Sequence, residues 1–260
     1  MTDAGAPSGS KQATFSLAVV DAEHGVAGAA SASRYIAVAS LVLHAAAGAG
    51  VVLTQSIADR QHGIEGLDLL SGGMSPAAVL ERVLQDDPRQ SLRQVAVLDW
   101  SGATAHFTGP QCTPLVATYE ETGLVAFGNM LADAAVPSAM ARAFHAVYNP
   151  AAVDGPGSEM PDPLGDSNPD MPPGRDDERR YRANRMAEAL VAALRAGEAA
   201  GGDRRGKQAA GLLVVAPHAG YSGRDDRAVD LRVDDHPEPV AELHRVFRVF
   251  IENQQREFAE

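Results

Sequence analysis

The 260-residue chain has one cysteine, Cys112, and one tryptophan, and aromatic residues make up only 5% of it. A single cysteine excludes an intrachain disulfide and any zinc site built on several thiolates. No run of about 18 apolar residues occurs, so no helix of membrane-spanning length is expected. Residues 1–13 are small and polar and lack the apolar stretch of a secretory signal. Positive charge is also short: 22 Lys and Arg against 34 Asp and Glu leave a formal net charge of -12. That balance argues against nucleic acid and anionic membranes as partners. The local basic run Arg179, Arg180, Arg182 and Arg185 reads as a solvated helix face. With 45% hydrophobic residues the chain can build a sizeable core, and a cytoplasmic location is expected.

The order of patterns comes next. Thr14–Asp21 and 25–33 read as two strands joined by a tight turn, with residues 1–13 as a disordered leader. Residues 44–56 read as a glycine-tolerant loop running into a buried strand. Ser75 and Pro76 form an N-cap and first-turn pair for a helix over 77–85. Short strands follow over 94–99, 104–108 and 124–127, then a helix over about 131–147. Residues 149–174 hold seven prolines and five acids, with no Lys or Arg, and read as a disordered insert. A long helix is expected from Asp176 to about Ala196, and a charged glycine-rich loop over 197–206. Strands over 209–216 and 228–233 and a closing helix over 239–250 complete the set. This order is not the strict alternation of a parallel doubly wound sheet. It suits antiparallel sheets carrying layers of helices, in a single α+β domain over 14–260.

Several residues carry candidate chemistry. Thr14 opens the first strand, and a hydroxyl there becomes a nucleophile if its own α-amine serves as base. An α-amine titrates near ~8, against ~10 for lysine, so it can take a proton at neutral pH. Thirteen residues precede Thr14, so this chemistry requires cleavage after Ala13. The plain alternative is a β-branched residue starting a strand. Ser16 shares its face and is the fallback hydroxyl. Ser31, Ser33 and Arg34 end the return strand beside Thr14, where a cation would keep the amine neutral and steady an oxyanion. Asn129, after Gly128, is the expected oxyanion donor; a turn role before a helix is the alternative. Thr54 and Gln55 end a buried strand and would line the pocket or cap the strand. Asp203 and Arg205 would clamp a substrate amide or carboxylate, or simply fix their loop. His218, Asp225, Asp226, Asp234, Asp235 and His236 lack recognised metal-ligand spacings, and no metal or other cofactor is expected. Cys112 reads as a half-buried small residue.

The chain also resembles an uncharacterised bacterial family, domain of unknown function 1028. The resemblance rests on Thr14-Phe-Ser16, Gly25-Val-Ala, Ala30-Ser31 with Ala37-Val38, and Gly48 to Gln55. It continues through Gly66 to Gly72, Asp86-Asp87-Pro88, Arg93-Gln94, Phe107-Thr-Gly109 with Cys112, and Gly128 to Leu131. It ends with 196–206 and 230–234. That family is similar to the N-terminal nucleophile (Ntn) hydrolases. The resemblance implies a four-layer αββα sandwich of two antiparallel sheets flanked by helices. It implies hydrolysis of a C–N bond in a small amide, cyclic amide or short peptide, by Thr14 after removal of residues 1–13. Thr14, Ser31, Ser33, Arg34 and Asn129 would be catalytic; Thr54, Gln55, Gly128, Asp203 and Arg205 would bind the small-molecule amide or peptide substrate. The competing expectation is a non-catalytic binding protein on the same fold, and a third is a metal-dependent hydrolase. A homo-oligomer is compatible with the reading, through helix faces or strand edges.

Overall fold

The computed structural model describes residues 13–112, 114–149, 175–221 and 223–258. The expected leader, apart from Ala13, and the expected proline-rich insert, apart from Asn149, lie outside these residues. The architecture is mixed α and β, with two antiparallel sheets and six α-helices among the described residues.

The strands are β1 (Thr14–Asp21), β2 (Val26–Ser33), β3 (Leu43–Ala46), β4 (Gly50–Ser56) and β5 (Arg93–Asp99). They continue as β6 (Thr104–Thr108), β7 (Ala117–Glu121), β8 (Leu124–Asn129), β9 (Ala209–Val215) and β10 (Arg227–Val233). The larger sheet runs β10-β9-β2-β1-β8-β7 and the smaller β3-β4-β5-β6. The helices are α1 (Ala39–Val42), α2 (Arg60–Ser71), α3 (Pro76–Leu84), α4 (Val136–Tyr148), α5 (Arg175–Ala199) and α6 (Pro239–Phe258).

Strand alternation divides the apolar side chains among three cores. Phe15, Leu17 and Val19 of β1 pack with Met140, Met186, Leu190 and Leu243 of α4, α5 and α6. Ala18 and Val20 of the same strand turn the other way, onto Val51 and Leu53 of β4 and Leu98 of β5. Val52, Val95 and Val97 face Val79, Val83 and Leu84 of α3. Gly28 is required by this packing: a Cβ there would sit 2.9 Å from Met186 Sδ and 3.0 Å from Leu190 Cδ1.

The structure corrects several expectations. Residues 44–46 are strand, not loop, because the turn through Gly48 (φ +78°) lets β3 fold back onto β4. The helix expected from 131 begins at Val136. The intervening backbone is spent elsewhere: Leu131 N–H donates to Leu115 O and Ala132 N–H to Gly202 O. Helix α5 runs past Ala196 to Ala199, with Gly197 inside it where a Cβ would stand 2.8 Å from Met140 Cγ. Helix α2, N-capped by Asp59 accepting from Gln61 N, and strand β7 were not expected. Arg185 leaves the supposed solvated face: it is buried, donates to Val147 O and pairs with Glu188 at 3.1 Å. Cys112 is buried rather than half-buried, its thiol 3.2 Å from Arg93 O.

One charge is wholly enclosed. Arg93 is 1% exposed. Its guanidinium donates to Asp87 Oδ2 (2.5 Å), Ile57 O (2.6 Å) and Asp59 Oδ2 (3.1 Å), tying the start of β5 to the loops flanking α2 and α3. Burial pushes the Asp87 carboxyl up, but the bond and charge of Arg93 outweigh it and hold the group below the ordinary carboxylate range. A carboxylate with a depressed folded pKa stabilises the fold above its unfolded pKa of about 4 and loses that contribution as pH falls through the folded value. Removing one member of a buried pair typically costs about 3–5 kcal/mol. Arg93→Leu should therefore lower unfolding free energy by about that amount at pH 7, with a smaller loss below about pH 4. Urea unfolding at both pH values checks this.

Candidate functional site

The layer between the sheets is apolar along most of its length and polar at one end. The alternation that places Ala18, Val20, Ala27, Ala29, Leu53, Leu98, Val125 and Phe127 between the sheets also places Thr14, Ser16, Ser31, Ser33, Gln55, Gln94 and Asn129 there. Register assembles them. Thr14 lies opposite Ser33 on one side and Asn129 on the other, Ser16 opposite Ser31, and Gln55 opposite Gln94. All seven are at most 2% exposed, so their polar atoms must pair with one another.

Five of them, Ser16, Ser31, Gln55, Gln94 and Asn129, form one connected chain. Gln94 Nε2 donates to Gly128 O at 3.2 Å and lies 3.1 Å from Thr108 Oγ1. A backbone carbonyl cannot donate, so this bond fixes which end of the Gln94 amide is nitrogen. Gln94 Oε1 is then the acceptor for Gln55 Nε2 (2.8 Å) and Asn129 Nδ2 (2.9 Å). Gln55 Oε1 in turn accepts the Ser16 hydroxyl at 2.6 Å. With the single Ser16 proton committed, the 2.9 Å contact between Ser16 and Ser31 is supplied by the Ser31 hydroxyl. One atom is left over: Asn129 Oδ1 is buried and has no hydrogen-bond partner among the described residues.

A second group encloses the peptide bond before Thr14. The Ala13 carbonyl accepts the Ser33 hydroxyl and, at 3.0 Å, Arg205 Nη2. Thr14 Oγ1 lies 3.4 Å from Ser33 Oγ. Asp203 fixes Arg205 through its backbone N–H (2.8 Å), Nε (3.2 Å) and Nη2 (2.9 Å), and also accepts Arg34 N–H at 2.7 Å. The cation at Thr14 is thus Arg205. The guanidinium of Arg34 instead reaches outward to Arg205 O at 2.6 Å, so Arg34 braces the loop rather than Thr14.

Local backbone holds this arrangement. Strands β4 and β8 both leave it through a non-glycine residue in the left-handed region, Ser56 (φ +70°) after Gln55 and Met130 (φ +48°) after Asn129. Such residues cost of order 1 kcal/mol or more and persist where surrounding contacts over-determine them. Gly128 is needed for closeness: a Cβ there would stand 2.6 Å from Leu131 Cδ2 and 3.0 Å from Thr14 O. Leu131 bridges to Asp203, joining the Asn129 turn to the glycine-rich loop. Thr54 is separated from the rest. It lies on the opposite face of β4, where its hydroxyl accepts Asp59 N–H at 3.1 Å.

Sequence reasoning did not single out Gln94, Thr108 or the Ala13 carbonyl as site members. Gln94 had a signal, a lone amide opening the otherwise apolar strand Val95–Leu98. The carbonyl had none, because a backbone acceptor carries no residue identity. No three His, Cys, Asp or Glu side chains gather as a metal site among the described residues. Asp225 and Asp226 instead close the turn before β10, accepting from Arg227 N and His218 N.

A cleft of about 330 Å³ opens at the far end of β1. There Asp21 accepts the Tyr148 hydroxyl (2.6 Å) and both His24 N–H and His24 Nδ1 (3.1 and 2.8 Å). Burial raises the Asp21 carboxyl, yet these bonds together leave it below its ordinary value. Burial and the neighbouring Asp21 raise the Tyr148 phenol far above its usual range. Asp21 spends its bonds joining the β1–β2 turn to α4.

The model of a family of unknown function, DUF1028, matches residues 14–243. The match begins at Thr14. A crystal structure of protein SPO2555 from Silicibacter pomeroyi, of the same family, is similar with a TM-score of 0.68 and 27% sequence identity, over 91% of this chain and 88% of that one. No curated protein matches. The chain belongs to the DUF1028 family.

Gln94 is the hub of the amide chain. Gln94→Leu strands the donors of Gln55 and Asn129 and should destabilise the fold by about 1–3 kcal/mol. Gln55→Leu, which leaves only Ser16 without its acceptor on that side, should cost less. Thermal unfolding of the two variants checks the order.

Proposed function

We propose that this chain is an N-terminal nucleophile hydrolase of C–N bonds in small amides, cyclic amides or short peptides, formed by cleavage between Ala13 and Thr14. The observation that carries the reading is the Ala13 carbonyl, held by the Ser33 hydroxyl and the Arg205 guanidinium beside the Thr14 hydroxyl. Two donors on one carbonyl oxygen are what a developing oxyanion requires. In self-cleavage, Thr14 Oγ1 attacks the Ala13 carbonyl carbon and its proton passes to the Thr14 nitrogen. The C–N bond breaks and leaves an ester. Water then releases residues 1–13 with a carboxylate and restores the hydroxyl beside a free α-amine.

The second reaction reuses the same parts. The amine takes the Thr14 hydroxyl proton, Oγ1 attacks the substrate carbonyl, and Ser33 and Arg205 hold the oxyanion. The proton then goes to the departing nitrogen, and water hydrolyses the acyl-enzyme. No cofactor enters these steps. Three separate cores, with helices outside both sheets, support the four-layer αββα arrangement of Ntn hydrolases for this chain. The location of the polar cluster between the sheets supports the same reading.

An assay of the Thr14-starting chain against a panel of primary amides, lactams and dipeptides tests the reading. Thr14→Ala should abolish turnover with the fold retained. Arg205→Met should lower kcat about 100-fold, the usual cost of one oxyanion donor. A fully active Thr14→Ala chain overturns the mechanism, and a Thr14-starting chain that binds but hydrolyses none of the panel favours the non-catalytic binding reading.

A further inference from the structure

Among the described residues, Asn129 Oδ1 is the one buried polar side-chain atom of the site left without a partner, and its surroundings say what should fill it. The Asn129 amide cannot be turned round to solve the problem. Its Nδ2 serves Gln94 Oε1, and Gln94 is oriented by the Gly128 carbonyl; a turned Asn129 would set two oxygens against each other. A buried acceptor without a donor costs about 1–3 kcal/mol, a cost removed if a donor arrives. Thr14 is placed to supply that donor. Asn129 and Thr14 are direct cross-strand partners whose side chains share the layer between the sheets. Residues so opposed have Cβ atoms about 5 Å apart.

In the intact chain the Thr14 nitrogen is a peptide nitrogen with a single N–H, and Asn129 Oδ1 receives no bond from it. Cleavage after Ala13 converts that nitrogen into an amine carrying two or three N–H groups. New donors therefore appear beside the vacant acceptor only in the cleaved chain. We infer that Asn129 Oδ1 is the acceptor reserved for the freed α-amine of Thr14, which makes Asn129 the positioning residue of the catalytic base. This rests on the reading that Thr14 becomes the first residue. It departs from the expected role of Asn129 as an oxyanion donor and leaves that task to Ser33 and Arg205. With one N–H given to Asn129, the amine lone pair is left to take the proton of its own hydroxyl.

The charged groups around the amine are Arg205, Asp203 and, farther out, Arg34, all at the β2 end and the glycine-rich loop. Strands β4, β5 and β8 present only the amides Gln55, Gln94 and Asn129 toward it. Arg93 lies on the other face of β5, locked to Asp87 and Asp59. Replacing Asn129 by leucine thus changes hydrogen bonding to the amine without changing a charge.

The test is a pH titration of the Thr14 α-amine by NMR, on threonine-labelled chain cleaved after Ala13 by itself or at a protease site introduced there. An acceptor favours the ammonium form, so Asn129→Leu should lower the amine pKa by about one unit. Asn129→Asp keeps an acceptor and adds a negative charge, and should raise the pKa above that of the unsubstituted chain. Should the leucine variant fail to fold, the aspartate variant alone decides. An amine that titrates at the same pH in the variants as in the parent overturns the inference. The readout needs no turnover, so an amine that responds to Asn129 in a chain that hydrolyses nothing supports the inference while defeating the hydrolase reading.

Discussion

Seven polar side chains, each at most 2% exposed, are packed at the end of the layer where β1, β2, β4, β5 and β8 meet. Every donor must therefore find a protein acceptor, and the Gly128 carbonyl decides how. By accepting from Gln94 it orients that amide, which orients Gln55 and Asn129, and Gln55 in turn directs Ser16 and Ser31. Gly128 must be glycine to bring its strand against Thr14 and Leu131. The turn that follows it, through Met130 to the bridge at Leu131 and Asp203, delivers Arg205 to the Ala13 carbonyl. The two halves of the site, the amide chain and the Arg205 clamp, are joined through this one segment.

Much of this was legible in the sequence. The period of two in 14–21 and 25–33 put Thr14, Ser16, Ser31 and Ser33 on one face, and antiparallel pairing made them neighbours. The cap at Ser75 and the break before Pro88 bounded α3. Less visible were features set by partners distant in sequence. Helix α2 has four buried residues, of which two are glycines, so it carries a faint apolar stripe. The residues after Asn129 looked helical but are taken by the 201–206 loop. Arg34 was the expected cation for Thr14 and Arg205 a substrate clamp; only the turn at Asp203 decides that Arg205 faces inward. Thr54 and Gln55 are adjacent, and the pleat sends them to opposite faces.

The Ala13–Thr14 bond gives the arrangement its meaning. A carbonyl gripped by a hydroxyl and a guanidinium, with a second hydroxyl at hand, is an unusual investment of buried donors in one ordinary peptide bond. Beside it an acceptor stands vacant on the residue paired with Thr14. Donors crowd the acyl side of the bond, and the residue carrying the unpaired acceptor is the cross-strand partner of Thr14. Breaking the bond would relieve both conditions, since the carbonyl would depart with the leader and the new amine would have somewhere to donate.

The most direct measurement is the intact mass of the purified full-length chain followed over time at neutral pH, with N-terminal sequencing of the product and Thr14→Ala as reference. The account predicts that the chain loses residues 1–13 and begins at Thr14, while the alanine variant keeps its full mass. A chain that stays whole, or one cut elsewhere or equally in the alanine variant, would contradict self-cleavage at Thr14.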